Sequence, residues 1–459
     1  MNKTAATSSL AAAPATLGGH IGRTLALALP VTLSRVGFLT LVIADIIMTG
    51  RLGADELAYY ALAMAFMMPL MLVGLGVLLG TVVITAQAIG AKRPSECGGV
   101  WRVSMIHGVL FGGLAFVLSF GAEWFLLATG QAPGLARGAG GVMVMFGWGL
   151  PAMFLYFATS FFLEGISRPL PGMVVMLFAN LLNIGLNGLL IHGALGWFPA
   201  MGAEGAALAT TIVRWAMFAA LAAYCLIRLD GRLYGVRGAI ADARQVGRRL
   251  RRIGYPMGLG TALESTAFST MTLFAGLLGA AQIAGYQIAM NLLALGFMCA
   301  LGFSTAASVG VGNAIGRRDQ PGVRSAGWVS VGLAAPILAA VGMIYALGAE
   351  GLAGLYSSDR QVTAIAVPAL LVTALILIPD GAQGVLAGAL RGAADVWPAT
   401  ILYVIAFWGV MVPLGYYLGV VLRGGAAGLM TAVLIGTICA ALMLGLRFHL
   451  VSKRVIGRL

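Results

Sequence analysis

Twelve long apolar stretches, centred near residues 36, 70, 113, 150, 181, 215, 265, 295, 335, 376, 409 and 436, restrict this sequence more than any other feature. About 20 apolar residues cross the hydrocarbon of a bilayer, where no water is present to satisfy a backbone amide. Each stretch must then close its own hydrogen bonds as a helix, since none alternates apolar and polar residues as a barrel strand does. Charged residues make up 9% of the 459, against roughly 25% in soluble domains. The expected fold class is all-α integral membrane, with twelve transmembrane helices and little mass outside the lipid. Glycine supplies 66 residues, and pairs such as Gly108/Gly112, Gly254/Gly258 and Gly384/Gly388 suit close helix packing.

The formal charge of +13 does not call for a nucleic acid, because of where it falls. With both termini placed in the cytoplasm, 22 of the 28 Lys and Arg lie in inner segments. Four lie in outer loops (Arg51, Arg137, Arg360 and Arg423), and Arg35 and Arg214 lie inside spans. That asymmetry is the positive-inside rule and orients a multi-pass protein, expected in the bacterial inner (plasma) membrane. The lipid bilayer is the acidic partner that remains. Cys97, Cys225, Cys299 and Cys439 are widely separated and suit apolar packing. His20, His107, His192 and His449 are scattered, and the chain has no HExxH, GxSxG or GxxxxGK[ST] motif, so neither an enzyme nor a nucleotide-driven pump is expected. No cofactor is implied. No cleavable signal is expected before the first span, which should remain in the mature protein.

The second half of the chain replays the first. Pro256 follows Pro30 by 226 residues, and Leu278–Met290 matches Leu52–Met64, and Ala314–Gly316 matches Ala88–Gly90, at the same offset. Arg391 matches Arg168, and Gly425–Gly428 matches Gly202–Gly205, both at 223. Constant order and offset indicate a duplicated six-helix unit. An even number of spans gives both copies one orientation, with a central cleft between them, as in a rocking transporter. The expected divisions are a disordered N-terminal tail (1–20), an N-lobe of helices 1–6 (21–228), a basic cytoplasmic linker (229–250), a C-lobe of helices 7–12 (251–448) and a basic cytoplasmic tail (449–459). The chain is expected to act as a monomer.

Three carboxylates lie within spans: Asp45, Glu264 and Asp380. A charge at the bilayer centre costs about 2.5–3.5 kcal/mol on insertion scales, so such groups face a cavity or a partner rather than lipid. Asp380 is the only charge between Thr363 and Leu390 and follows Pro379, whose missing N–H can leave the Leu375 carbonyl free. A carboxylate beside a loose carbonyl is a seat for a small cation or a proton. Asn180, Asn183 and Asn187 stripe one helical face, in a pattern that suits interhelical hydrogen bonds as well as ligand contact. Met257, Thr261, Glu264, Phe268 and Met271 share a face, which would place a flexible apolar lining around an acid. Gln287 and Asn291 form an i, i+4 polar pair. Arg35 and Arg214 each call for an acid or a carbonyl. Glu264 aligns with Phe38, and Asp45 with Met271, so the acids were not inherited as a symmetric pair.

In Ala44-Asp-Ile-Ile-Met-Thr-Gly50, Gln87-Ala-Ile-Gly-Ala-Lys-Arg93, Leu181-Leu-Asn-Ile-Gly-Leu-Asn187, Glu264, Tyr286-Gln-Ile-Ala-Met-Asn291, Asp380 and the Gly388–Asp395 ending, the chain resembles a MATE (multidrug and toxic compound extrusion) transporter of the NorM-like branch. The resemblance covers residues 20–450. It implies export of cationic, often aromatic drug-like molecules by antiport with Na⁺ or H⁺ through alternating access. It also implies a cation-coupling site of Glu264 and Asp380, with Na⁺ as the metal candidate, and a polar N-lobe site of Asp45 with the asparagines. Asp45 joins the coupling set as well. Substrate contacts are expected at Asp45, Asn180, Asn183, Asn187, Glu264, Phe268, Gln287, Asn291 and Asp380. Some Na⁺-coupled relatives place a tyrosine one turn before the helix 10 acid, where this chain has Ile376, which keeps protons open. A flippase for a lipid or lipid-linked precursor is the alternative reading, kept alive by Arg35 and Arg214.

Overall fold

A computed structural model describes residues 16–193, 199–238 and 242–454. The twelve apolar stretches form twelve long helices. They are α1 (Leu17–Gly50), α2 (Asp55–Gly90), α3 (Pro94–Ser119), α4 (Pro133–Gly165), α5 (Leu170–Ile191), α6 (Gly202–Ile227), α7 (Ala243–Leu277), α8 (Ala280–Arg317), α9 (Gln320–Leu347), α10 (Arg360–Gly392), α11 (Val396–Val421) and α12 (Gly425–Lys453). All but α7 are long and apolar enough to span a membrane by composition alone. α7 differs because it starts inside the basic run, with Arg248, Arg249, Arg251 and Arg252 on its first turns. Residues 229–250 are therefore not a plain linker: turns cover 229–238, and helix begins at Ala243. Of the expected N-terminal tail, residues 1–15 lie outside the described residues and 17–20 already belong to α1. Of the C-terminal tail, 455–459 lie outside them, and α12 runs through Lys453.

The chain forms two compact units. One comprises Leu33–Thr85 and Arg93–Gly258; the other comprises Ala86–Lys92, Leu259–Leu459 and the chain up to Thr32. The boundaries fall inside α1, α2 and α7. In the first unit the start of α7 lies backbone to backbone with α2: a Cβ on Gly76 or Gly254 would collide with Gly258 or Val77. In the second, the start of α1 lies on α8, where Thr32 Oγ1 donates to the Cys299 carbonyl at 3.4 Å and a Cβ on Gly302 would strike Ala28 and Thr32. Small residues set these approaches, as interhelical contacts in lipid require. α4 packs on α2, α3 and α6 at the centre of the first unit, and α10 packs on α8, α9 and α12 at the centre of the second.

The duplication repeats in detail. Gly53 and Gly279 start α2 and α8 with φ of 145° and 103°, a region glycine alone enters without strain. The Glu56 carboxylate accepts from the Ala203 amide at 2.6 Å, and its mate, the Gln282 side chain, accepts from the Ala426 amide at 2.8 Å. Short helices Ala122–Ala128 and Ala349–Tyr356 follow α3 and α9. One sequence match requires correction. α4 and α10 end in left-handed residues Ser167 and Ala394, 227 apart, so the mate of Arg391 is Glu164 rather than Arg168. The shift in offset from 226 to 227 arises before these helix ends and is hidden in sequence by the glycine-rich repeats on either side.

α11 departs from α-helical winding. Val404–Met411 and Tyr416–Val421 are π-helical, flanking Pro413. A wider turn tolerates the amide that proline lacks, and π segments collect at functional sites.

Candidate functional site

In the first unit the site is built on Asp45, near the end of α1 and 1% exposed. Its Oδ1 accepts from Asn187 Nδ2 at 2.7 Å and Asn183 Nδ2 at 3.1 Å. Its Oδ2 accepts from Thr210 Oγ1 at 2.6 Å and Tyr60 Oη at 3.2 Å. The i, i+4 spacing puts the two asparagines on one face of α5, and Asn187 donates also to Asn183 Oδ1 at 3.2 Å. α5 can approach α1 because Gly37 has no side chain: a Cβ there would fall 2.6 Å from Met176 Cγ. Asn180 does not join the acid. Its amide donates to the carbonyls of Gly37 at 3.0 Å and Met176 at 2.9 Å, holding the two helices together.

Beside Asp45 lies a narrow cavity of about 20 Å³, roughly the room of one water. Five methionines (Met64, Met68, Met71, Met153 and Met217) and the rings of Phe38, Tyr60, Phe146, Tyr156 and Phe157 line it, with Thr210 and Arg214. Methionine sulfurs and ring faces make an adaptable apolar wall.

The second unit holds a different cluster. Asp380 on α10 is 4% exposed, and its Oδ1 accepts from Gln383 Nε2 at 3.2 Å. Glu264 on α7, half-buried, lies close enough to Asp380 and Arg391 to feel their charges. Tyr403 on α11 lies in the field of Glu264, Asp380 and Arg391. Ser304 on α8 fixes Arg391: it accepts from Nη2 at 2.5 Å while donating to the Gly384 carbonyl at 2.6 Å. Gln383 Oε1 is buried without a hydrogen-bond partner. Phe268, one turn past Glu264, meets the Phe407 ring at 5.7 Å, and Phe407 stacks on Tyr403 at 5.5 Å. Trp408 Nε1 donates to the Leu263 carbonyl at 2.9 Å, so α11 backs the turn that carries Glu264.

Gln287 and Asn291 are both exposed, and the Asn291 amide is engaged by the Gln287 carbonyl of its own helix at 2.9 Å. No hydrogen bond among the described residues joins their side chains to either cluster. Among the described residues no three His, Cys, Asp or Glu side chains converge on a metal position. A third buried acid among the described residues escaped the sequence reading. Glu164, 2% exposed, binds Arg35 Nη2 through both oxygens at 3.0 and 3.2 Å and accepts from Ser160 at 3.1 Å. It sits next to Ser167-Arg168-Pro169, which reads as an inner loop, so the helix end hid it. Gln383, Tyr60 and Thr210 also went unmarked, although Gln383 stands at i+3 from Asp380 and Tyr60 has a repeat mate in Tyr286.

Twelve long helices from a duplicated sequence, with a buried acid and its amide partners inside each compact unit, make a polytopic membrane protein. The family model MatE matches residues 30–189 and 256–417, and the chain belongs to this family. It is 36% identical over 432 residues to a probable multidrug resistance protein NorM of Caulobacter vibrioides, covering 94% of this chain and 91% of that one. It is 34% identical over 435 residues to the Rhodopseudomonas palustris counterpart, covering 94% and 92%. Among solved structures it resembles the eukaryotic MATE transporter AtDTX14 (TM-score 0.86, 20% identity, 95% and 96% covered). It also resembles an outward-facing multidrug resistance MATE transporter of the MOP superfamily (TM-score 0.89, 20% identity, 99% and 100% covered).

Proposed function

We propose that this protein exports organic cations by antiport with Na⁺ or H⁺, through alternating access, in the inner membrane with both termini cytoplasmic. The observation that carries the reading is the acceptor-rich cluster of the second unit. Asp380, the orphaned Gln383 Oε1 and Glu264 gather there around one cationic neighbour, Arg391. A buried acceptor without a donor costs about 1–3 kcal/mol, and a proton on a neighbouring carboxyl or a bound Na⁺ removes that cost. A cationic drug and the coupling ion would compete for the same carboxylates, and mutual exclusion couples their fluxes by linkage. The names of the NorM relatives support drug-like cargo, and the methionine and aromatic side chains around Asp45 offer an adaptable apolar wall.

Competition gives the test. Purified protein is titrated with a fluorescent cationic dye, and Na⁺ is then raised, or pH lowered, at constant ionic strength. Displacement by one ion in the native protein, and its loss in Glu264→Gln and Asp380→Asn, is the expected result. Dye binding indifferent to both ions would defeat the antiport reading.

A further inference from the structure

At the basic end of the second unit, α8 closes on Arg317, and the left-handed Arg318 (φ 61°) turns the chain into α9. Asp319 caps α9 by accepting from the Gly322 amide at 2.9 Å. A notch remains between these residues and the first turns of α1. His20, Arg23, Arg317 and Gly322 line it, over an apolar floor that includes Leu27 and Ala306. Its open interior is about 10 Å³, room for a single oxygen the size of a water.

Charge in this notch is unbalanced. The Arg317 side chain is 12% exposed, and its Nε and Nη1 are buried with no hydrogen-bond partner. Its Nη2 reaches Asp319 Oδ2 only at 3.4 Å, because that carboxylate also serves as the cap of α9. Arg23 stands close enough to Arg317 to feel its charge, and His20 lies in the field of both arginines and of Asp319. Guanidinium N–H groups buried without an acceptor are costly, and an anion arriving there removes the cost. The 226-residue offset pairs Arg317 with Ala91, so this is not a packing device kept by both halves. Further along the same two helices, Leu29 and Trp328 are exposed, an apolar surface that suits acyl chains with a tryptophan at headgroup depth.

We infer that the notch binds the phosphate of an anionic lipid from the leaflet that meets these basic helix ends, one phosphate oxygen entering beside Arg317 while the acyl chains lie along α1 and α9. The site goes beyond the export reading and does not depend on it.

The test follows the Tm of the purified full chain in neutral detergent, which rises with a ligand that binds only the folded state. Dioctanoyl phosphatidylglycerol, dioctanoyl phosphatidylcholine and inorganic phosphate are titrated in turn at constant ionic strength. Phosphatidylglycerol is expected to bind about tenfold more tightly than phosphatidylcholine, whose choline the basic side chains repel, and than free phosphate, which lacks acyl chains. In Arg317→Gln its affinity should fall about tenfold, the worth of one charge-assisted hydrogen bond. Arg248→Gln, which removes an exposed charge from the first unit, should leave that affinity unchanged. Where Arg317→Gln does not fold, Arg23→Gln at the same notch takes its place, with a several-fold loss expected. Equal binding of the two lipids, or equal losses in the Arg317 and Arg248 variants, would overturn the inference in favour of diffuse attraction. Inorganic phosphate that binds as tightly as phosphatidylglycerol would overturn it in favour of a free anion.

Discussion

The Glu164 side chain, 3% exposed, lies 3.0 Å from Arg35 Nη2, and that guanidinium also covers the rings of Phe157 at 5.7 Å and Phe161 at 5.3 Å. Removing one member of such a buried pair strands the other, at a cost of about 3–5 kcal/mol. Glu164→Gln is thus expected to lower the Tm of the detergent-purified protein clearly. Arg35→Gln with Glu164→Gln together should cost less than the sum of the two singles, and additive losses would show that the pair is not coupled. Asp45→Asn makes a second residue-level prediction. An amide offers one acceptor oxygen where the carboxylate has two, so two of the four donors on Asp45 lose their acceptor, at about 1–3 kcal/mol each. Dye binding and Tm should fall together, whereas a fully stable variant that had lost only binding would contradict the hydrogen-bond account. At this scale the sequence was partly legible. The i, i+4 spacing put Asn183 and Asn187 on one face, but only tertiary placement shows that Asn180 turns to the Gly37 carbonyl instead. The same spacing marked Gln287 and Asn291 without saying which way their face points.

Helix contacts are governed by where a side chain would not fit. A Cβ on Gly392 would collide with the Ser308 carbonyl, and one on its mate Gly165 with Thr85 and the Val82 carbonyl. Backbone cannot yield as a side-chain end can, so Gly392→Ala should lower Tm by several degrees. Gly185→Ala on exposed α5, with nothing within 4 Å, should be neutral or raise Tm, since alanine favours helix by about 1 kcal/mol over glycine. Equal effects at the two sites would sink the packing argument. The number and order of the helices follow from hydropathy, whereas their ends do not. The π turns of α11 do not, because they answer to tertiary contacts around Phe407 and Trp408 rather than to Pro413 alone. The start of α7 was hidden because arginines near a helix end suit helix and loop equally well.

Across the whole chain, duplication has preserved backbone devices while the charges have diverged. Glu164 and Arg391 are repeat mates of opposite sign, and each is in the field of an opposite charge from the first helix of its own half, Arg35 and Glu264. The duplication was legible from the 226-residue offset, whereas this inversion needed the true helix ends. The charge distribution makes a topological prediction. In a cysteine-free background, a membrane-impermeant maleimide should label Ser358→Cys in intact cells and Gly231→Cys only after lysis; the reverse order would refute the assigned orientation. The central claim is ion-coupled export. Its most direct test is dye efflux from proteoliposomes under a Na⁺ gradient and a pH gradient imposed separately. Efflux driven by one gradient and abolished in Asp380→Asn is the predicted result, and efflux indifferent to both gradients would contradict it.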